Sequence, residues 1–342
     1  MTTVAVVPGD GIGPEVVAEA VAAVDELGLG IDFDVLDAVN ARTYLEHGTA
    51  MTDADFDRVR AADGVLVGAI GHPSVPDPAY GRGVLLRMRF ELDLYANYRP
   101  VRLLHDRLSP LRDPARRGID CAIVRENTEG LYAGIGGALR PGTGAEVAVD
   151  TEVSTHAGVT RVLKFALSAA TRSVCMVDKA NAVESGGGLW QRCWDRERRT
   201  RPDLETRHLY VDVAAMRLVR DPDSFDVIVT NNSYGDILSD LAAEVGGGLG
   251  CAASANLNPE TGAGLYEPVH GSAPDIAGTG LANPVGAVLS AALLLDRLGH
   301  AEPARSLRAA VREAVEAARC TPDLGGDLDT REAGAAIRAA CR

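Results

Sequence analysis

At 342 residues the chain exceeds what one hydrophobic core supports, since single cores stop growing at roughly 250–300 residues, so about two domains are expected. The 46% hydrophobic and 24% charged content is that of an ordinary soluble globular protein. The formal net charge of −14 excludes nucleic acid and anionic membrane surfaces as expected partners, which would be repelled at long range, and requires any anionic substrate to meet a local positive cluster.

The opening reads strand, loop, helix: TVAVV, PGDGIG, then PEVVAEAVAAVDELG. Pro14 suits the first helical position and Gly28 the C-terminal cap, with Val17, Ala20, Val21 and Val24 at helical spacing. The loop is neither G-x-G-x-x-G nor a P-loop, so its glycines are explained by the tight turn. No basic stretch precedes the short apolar run Val4 to Pro8, so no signal peptide is expected. The most apolar stretch, AVLSAALLL, is too short to span a bilayer. Cysteines 121, 175, 193, 251, 320 and 341 show no short paired spacing, as in a reduced cytoplasmic protein without a zinc site or disulfide framework.

Further strands are predicted at DGVLVGAI, IDCAIV, SVCMVD and FDVIVT, with helical patterns between them, which indicates an α/β fold with a largely parallel sheet covered on both faces. The Gly- and Val-rich segment Gly134 to Val153 breaks the rhythm and is either a loop or a β-arm reaching another chain. From Gly246 the chain is rich in Gly and Ala, then closes with helices over VLSAALLLDRLG and ARSLRAAVREAVEAA.

Several segments carry chemistry. A helix over Val84 to Glu91 puts Leu85, Leu86 and Arg89 on one face. That suits a ligand with a carboxylate and a hydrocarbon group, or a core-edge arginine lying on leucines. Arg99 follows in ANYRP and Arg125 in RENTEGLY. Lys179 ends the strand SVCMVD, at the crevice where open α/β sheets bind ligands, and Asp212 lies in LYVDVAAM. In NNSYGDILSD a helix starting near Gly235 puts Asp236 and Asp240 on one face. They are either a cap and a solvated carboxylate or a pair that holds a cation. In EPVHGSAPDIAG, His270 and Asp275 flank small residues, a loop that lets a nucleotide approach the backbone.

In this order PGDGIGPE, Arg89 and Arg99, RENTEGLY, DKAN, GDILSD and EPVHGSAPDIAG resemble the metal-dependent β-decarboxylating dehydrogenases, the isocitrate, isopropylmalate, homoisocitrate and tartrate enzymes, from about Val4 to Gly299. The resemblance implies a two-domain α/β fold that is not Rossmann: 1–94 with 247–342 forming a cofactor-binding domain, and 95–246 a domain that dimerises and contributes an arm. It implies a homodimer with shared active sites, no nucleic-acid or membrane partner, and a cytoplasmic enzyme. Arg89, Arg99 and Arg125 would bind the malate carboxylates. Asp236, Asp240 and the partner's Asp212 would bind Mg²⁺ or Mn²⁺. The partner's Lys179 would help deprotonate the C2 hydroxyl and Tyr132 would protonate the carbon that loses CO₂. His270, Gly271, Ser272, Ala273, Asp275 and Asn283 would hold NAD, with Asp275 on the ribose.

Gly83, Leu85 and Leu86 match the isopropylmalate pattern, which implies 3-isopropylmalate as substrate and 2-oxoisocaproate as product, a step of leucine biosynthesis. Glu126-Asn127-Thr128 looks more like the isocitrate and tartrate branches, which leaves a paralogue acting on isocitrate, tartrate, homoisocitrate or a specialised analogue. A non-catalytic regulatory subunit is the third alternative, although such subunits typically lose members of a set that is complete here.

Overall fold

In this computed structural model residues 2–341 are described. The chain opens with β1 (Thr2–Gly9), α1 (Gly13–Asp25), β2 (Ile31–Val35), α2 (Ala41–His47), α3 (Asp53–Ala61) and β3 (Gly64–Ala69). A broken helix follows: α4 (Pro78–Gly81), a π turn (Arg82–Leu86) and α5 (Arg87–Glu91). The middle holds β4 (Ala96–Arg102), β5 (Asp120–Glu126), β6 (Gly136–Leu139), β7 (Val147–Asp150), α6 (His156–Ala169), β8 (Ser173–Asp178), α7 (Glu184–Glu197), β9 (Glu205–Tyr210), α8 (Val211–Arg220), β10 (Val227–Thr230) and α9 (Asn232–Val245). The end adds β11 (Ala253–Leu257), β12 (Gly264–Pro268), α10 (Val285–Arg297), α11 (Ala301–Glu316) and α12 (Thr330–Ala340).

Ten strands form one sheet in the order β2-β1-β3-β12-β11-β4-β5-β10-β8-β9. Both flanks are parallel, as expected, but the centre is not: β11 is antiparallel to β12 and to β4, and β4 is antiparallel to β5. Alternation along β1 sends Val4 and Val6 into a core with α1, α10 and α11, and Ala5 and Val7 into a second core with Phe56, Tyr80 and Met88. Residues of the middle segment fill two more cores on opposite faces, one around Trp190 and Trp194 and one around Phe225 and Leu238.

Pro14 lies in the first turn of α1, but that helix ends at Asp25, and Gly28 takes its left-handed φ of +65° three residues later. The segment Gly134 to Val153 resolves into the hairpin β6–β7, in which all eight strand residues are exposed.

Candidate active site

The site is built on the antiparallel centre of the sheet. Register places Arg125 of β5 opposite Asn97 of β4, and Asn97 opposite Asn256 of β11. Cross-strand partners share a face, and Arg99, two residues beyond Asn97, points the same way. Asn97, buried completely, donates to Asn256 Oδ1 at 3.0 Å and to Ser254 Oγ at 2.8 Å. Asn256 in turn donates to Glu267 Oε1 at 2.9 Å, and the same oxygen accepts from Arg89 Nη2 at 3.0 Å. A buried polar row across three strands therefore fixes the guanidinium of Arg89, which arrives from α5.

None of Asn97, Asn256 or Glu267 was singled out from the sequence. They interrupt the apolar runs of their strands, and only their bonding to one another makes them buried. Asn127 joins the row, donating to Asn256 Oδ1 at 2.9 Å and to Leu94 O at 3.0 Å.

The second half of the site comes from α9. Its N-cap is Asn231, whose side chain accepts from Tyr234 N at 3.0 Å, so the helix begins before Gly235 and Asp236 is not its cap. Asp236 and Asp240 lie one turn apart, as the spacing predicted, and both face arginines. Arg99 Nη1 donates to Asp240 Oδ1 at 3.1 Å and to Ser239 Oγ at 2.7 Å, while its Nη2 lies 3.8 Å from Asp236. Arg125 donates through Nε and Nη2 to Asn232 Oδ1, at 3.0 and 2.7 Å, and its Nη1 binds Asp236 Oδ1. A Cβ on Gly235 would come within 2.6 Å of the Arg125 side chain, so the small residue lets the helix seat on that arginine.

Burial, outweighing the carboxylates nearby, pulls Arg125 down to about 10, still charged at neutral pH. Burial first, then Asp236, pushes Asp240 above the usual carboxylate range against the pull of Arg99. Tyr132 OH reaches Asp236 Oδ2 at 3.4 Å; burial and that carboxylate raise its pKa, so the phenol keeps its proton.

One feature of the cluster suits an anionic ligand and a second suits a cation. Arg89 Nε and Arg99 Nε are buried without an acceptor, an arrangement proteins avoid unless something else supplies one. The guanidiniums of Arg89, Arg99 and Arg125 are balanced by Glu267, Asp236 and Asp240. The cluster is thus neutral until a cation joins it. Among the described residues no three His, Cys, Asp or Glu side chains converge as a metal site. Asp236 and Asp240 nevertheless offer two hard oxygen donors, and their side chains are 35% and 54% exposed. That donor set fits Mg²⁺ or Mn²⁺, which are commonly held by one or two carboxylates with water or substrate oxygens completing the shell.

Lys179 and Asp212 are brought together, Nζ to Oδ1 at 2.6 Å, and the lysine holds Asp212 below the usual carboxylate range. They are not joined to the arginine cluster. Lys179 borders a small void with Asn231 and Tyr234, and Tyr234 and Asp236, two residues apart on α9, point roughly 200° apart around the helix.

The two leucines also separate. The π turn carries Leu86 to a cavity of about 740 Å³ that Tyr132 and Phe90 line, whereas Leu85 packs on the core of Phe56 and Met88. A regular helix from Val84 had placed both on the arginine's face. The π turn also sets Arg82 on the cavity wall, a residue that the expected helix left out.

The loop after β12 rests on the glycine-rich turn. Ile12 N donates to Ser272 O at 2.8 Å, and Gly11, at φ +56°, allows the contact because a Cβ there would lie 1.9 Å from the same oxygen. Gly271 is exposed and Ala273 adopts φ +35°. His270 gives Nδ1–H to Gly271 O at 2.9 Å, which leaves Nε2 as an acceptor, buried and unpartnered; burial lowers its pKa and keeps the ring neutral. That orphaned nitrogen and the exposed Asp275 carboxylate fit the hydroxyl and amino groups of a dinucleotide. Asn283 is turned inward instead, donating to Asp323 at 2.8 Å and accepting from Val285 N at 2.9 Å.

The model of the isocitrate/isopropylmalate dehydrogenase family matches residues 3–337. The chain is 46% identical over 312 residues to the 3-isopropylmalate dehydrogenase of Corynebacterium glutamicum strain R, covering 90% of this chain and 91% of that one. It is 43% identical to the same enzyme of Thermobifida fusca, over 96% of this chain and 97% of the relative. A crystal structure of isocitrate dehydrogenase from Methylococcus capsulatus superposes with a TM-score of 0.91 at 36% identity, covering both chains completely. The apo β-decarboxylating dehydrogenase of Thermococcus kodakarensis gives 0.82 at 38% identity, over all of this chain and 96% of the other. The chain thus belongs to the isocitrate/isopropylmalate dehydrogenase family.

Proposed function

We propose that this protein oxidises and decarboxylates 3-isopropylmalate to 2-oxoisocaproate with NAD and Mg²⁺ or Mn²⁺, as a cytoplasmic homodimer with shared active sites. The carrying observation is the neutral cluster with two unpartnered arginine Nε donors. A divalent cation on Asp236 and Asp240 makes it dipositive, the complement of a malate with two carboxylates. Arg89, Arg99 and Arg125 bind those carboxylates, and fork geometry holds each in one orientation.

Lys179 of the partner subunit helps deprotonate the C2 hydroxyl, and Tyr132 returns a proton to C3 after CO₂ leaves. When bound, NAD would supply the hydride acceptor for C2 and the metal ion on Asp236 and Asp240 would supply Lewis acidity for the carbon–carbon cleavage. The position of Lys179 on the far side of α9 from Asp236 supports a site completed by a second chain. So do the exposed apolar side chains of the paired helices, Met216 and Val219 on α8 and Ile237 on α9, and those of the hairpin, Leu139, Val147 and Val149. We assign 1–94 with 247–342 to one domain and 95–246 to the other. No described helix is long and apolar enough to cross a membrane.

Leu86, Phe90 and Leu131 on the cavity wall favour an alkyl substituent, since they offer a carboxylate no partner and the Glu91 and Asp150 carboxylates on the same wall repel one. Asn127, the residue resembling the isocitrate and tartrate branches, is committed to the polar row behind Arg89. A second reading rests on Arg82, an exposed guanidinium on the same wall that suits a malate with a polar or anionic substituent. Turnover of isopropylmalate, isocitrate, tartrate and homoisocitrate by the purified chain decides between them. The first reading requires isopropylmalate to exceed isocitrate in kcat/KM by about tenfold or more. Better turnover of isocitrate would overturn it in favour of the second, and no turnover of any would leave a non-catalytic subunit.

A further inference from the structure

A separate cavity of about 220 Å³ lies behind β4, bordered by β11, α10 and α11. Its walls join two cores: Leu104, Leu289 and Leu293 pack against the core of the chain ends, and Val101 and Leu103 against that of α8 and α9. Arg99 and Val101 of β4 face α9, where Val101 would meet a Cβ on Gly246 at 2.6 Å. Pro100 and Arg102, alternating with them, border the cavity, and none of Arg89, Arg99 or Arg125 lines it, so it is separate from the arginine cluster.

The polar groups are few and uneven. Arg308 and Arg312 stand one turn apart on α11 at one rim. Arg308 binds the Asp296 carboxylate and donates to Ala292 O at 3.3 Å, whereas Arg312 forms no ion pair with any of the described residues. Arg102 and Asp120, 3.5 Å apart at another edge, neutralise each other. One positive charge is left over, on a chain that is strongly negative. Pockets between packed units, apolar with a few convergent polar groups, are the usual shape of small-molecule sites, and an apolar cavity attracts water poorly.

We propose that this cavity binds a small monocarboxylate with a branched or cyclic hydrocarbon body. The hydrocarbon fills the space between Leu104, Leu289 and Leu293, and the carboxylate lies against Arg312, the guanidinium left without a carboxylate, with Arg308 one turn away. The site depends on neither the reaction nor the substrate proposed above.

Isothermal titration of the full-length protein with cyclohexanecarboxylate and with the neutral cyclohexanecarboxamide tests it. The acid should bind about tenfold or more tightly than the amide, and Arg312→Glu should weaken the acid by about tenfold while leaving the amide and turnover unchanged. Leu293→Trp, which fills the space, should abolish both, and Arg99→Ala should leave both intact. Equal affinity for acid and amide, no binding by the wild type, or loss of binding in Arg99→Ala would each overturn the proposal. Arg312 is exposed, so its variant remains a test if Leu293→Trp fails to fold.

Discussion

Replacing Asn256 with leucine should weaken both the fold and the grip on substrate, because this fully buried residue is the centre of the polar row behind Arg89. It accepts from Asn97 at 3.0 Å and Asn127 at 2.9 Å and donates to Glu267 at 2.9 Å. Two neutral hydrogen bonds and one to a carboxylate amount to about 4 kcal/mol. Asn97 Nδ2 keeps Ser254 and Asn127 Nδ2 keeps Leu94 O, so neither amide nitrogen is stranded. The buried isobutyl group returns about 1.5–3 kcal/mol, leaving a net loss of about 1–2.5 kcal/mol. Urea unfolding of both proteins at one concentration measures it, since an oligomer's stability depends on concentration. Glu267, short of one donor, should also hold Arg89 less firmly, raising KM for the malate more than it lowers kcat. A loss below about 0.5 kcal/mol with an unchanged KM would refute the claim that the row positions that arginine.

Chelation should abolish turnover and Mg²⁺ or Mn²⁺ restore it, with Asp240→Asn raising the metal concentration needed by about tenfold or more; full activity in excess chelator would remove the metal from the site. NAD should be preferred to NADP, since the exposed Asp275 carboxylate would repel a 2′-phosphate, and Asp275→Lys should narrow the preference; equal efficiency of the wild type with both would show that Asp275 does not face the ribose. Lys179→Ala and Asp236→Asn should each inactivate the homodimer and yet complement each other: randomly mixed dimers put both lesions in one cleft and none in the other, restoring about a quarter of wild-type activity. Activity that stays at the mutant level would place both residues in a cleft of one chain.

The sequence alone determined whatever is written in local order. Alternating apolar strands and periodic helices gave the α/β class and the parallel flanks, and a four-residue spacing put Asp236 and Asp240 on one helix face. Motifs in chain order gave the family, because a loop such as EPVHGSAPDIAG carries its identity in contiguous residues. The tertiary structure decided what depends on partners far along the chain. β4, β11 and β12 escaped notice because the polar residues Asn97, Asn256 and Glu267 interrupt their apolar runs; they are buried because each is a hydrogen-bond partner of another, and Glu267 is 178 residues from the Arg89 it holds. The π turn, which sends Leu86 to the cavity and Leu85 to the core, leaves no mark in an apolar pattern, since one extra residue in a turn changes direction without changing composition. The cavity behind β4 exists only because helices from the chain's end close over a strand from its middle, and no periodicity records which two surfaces meet.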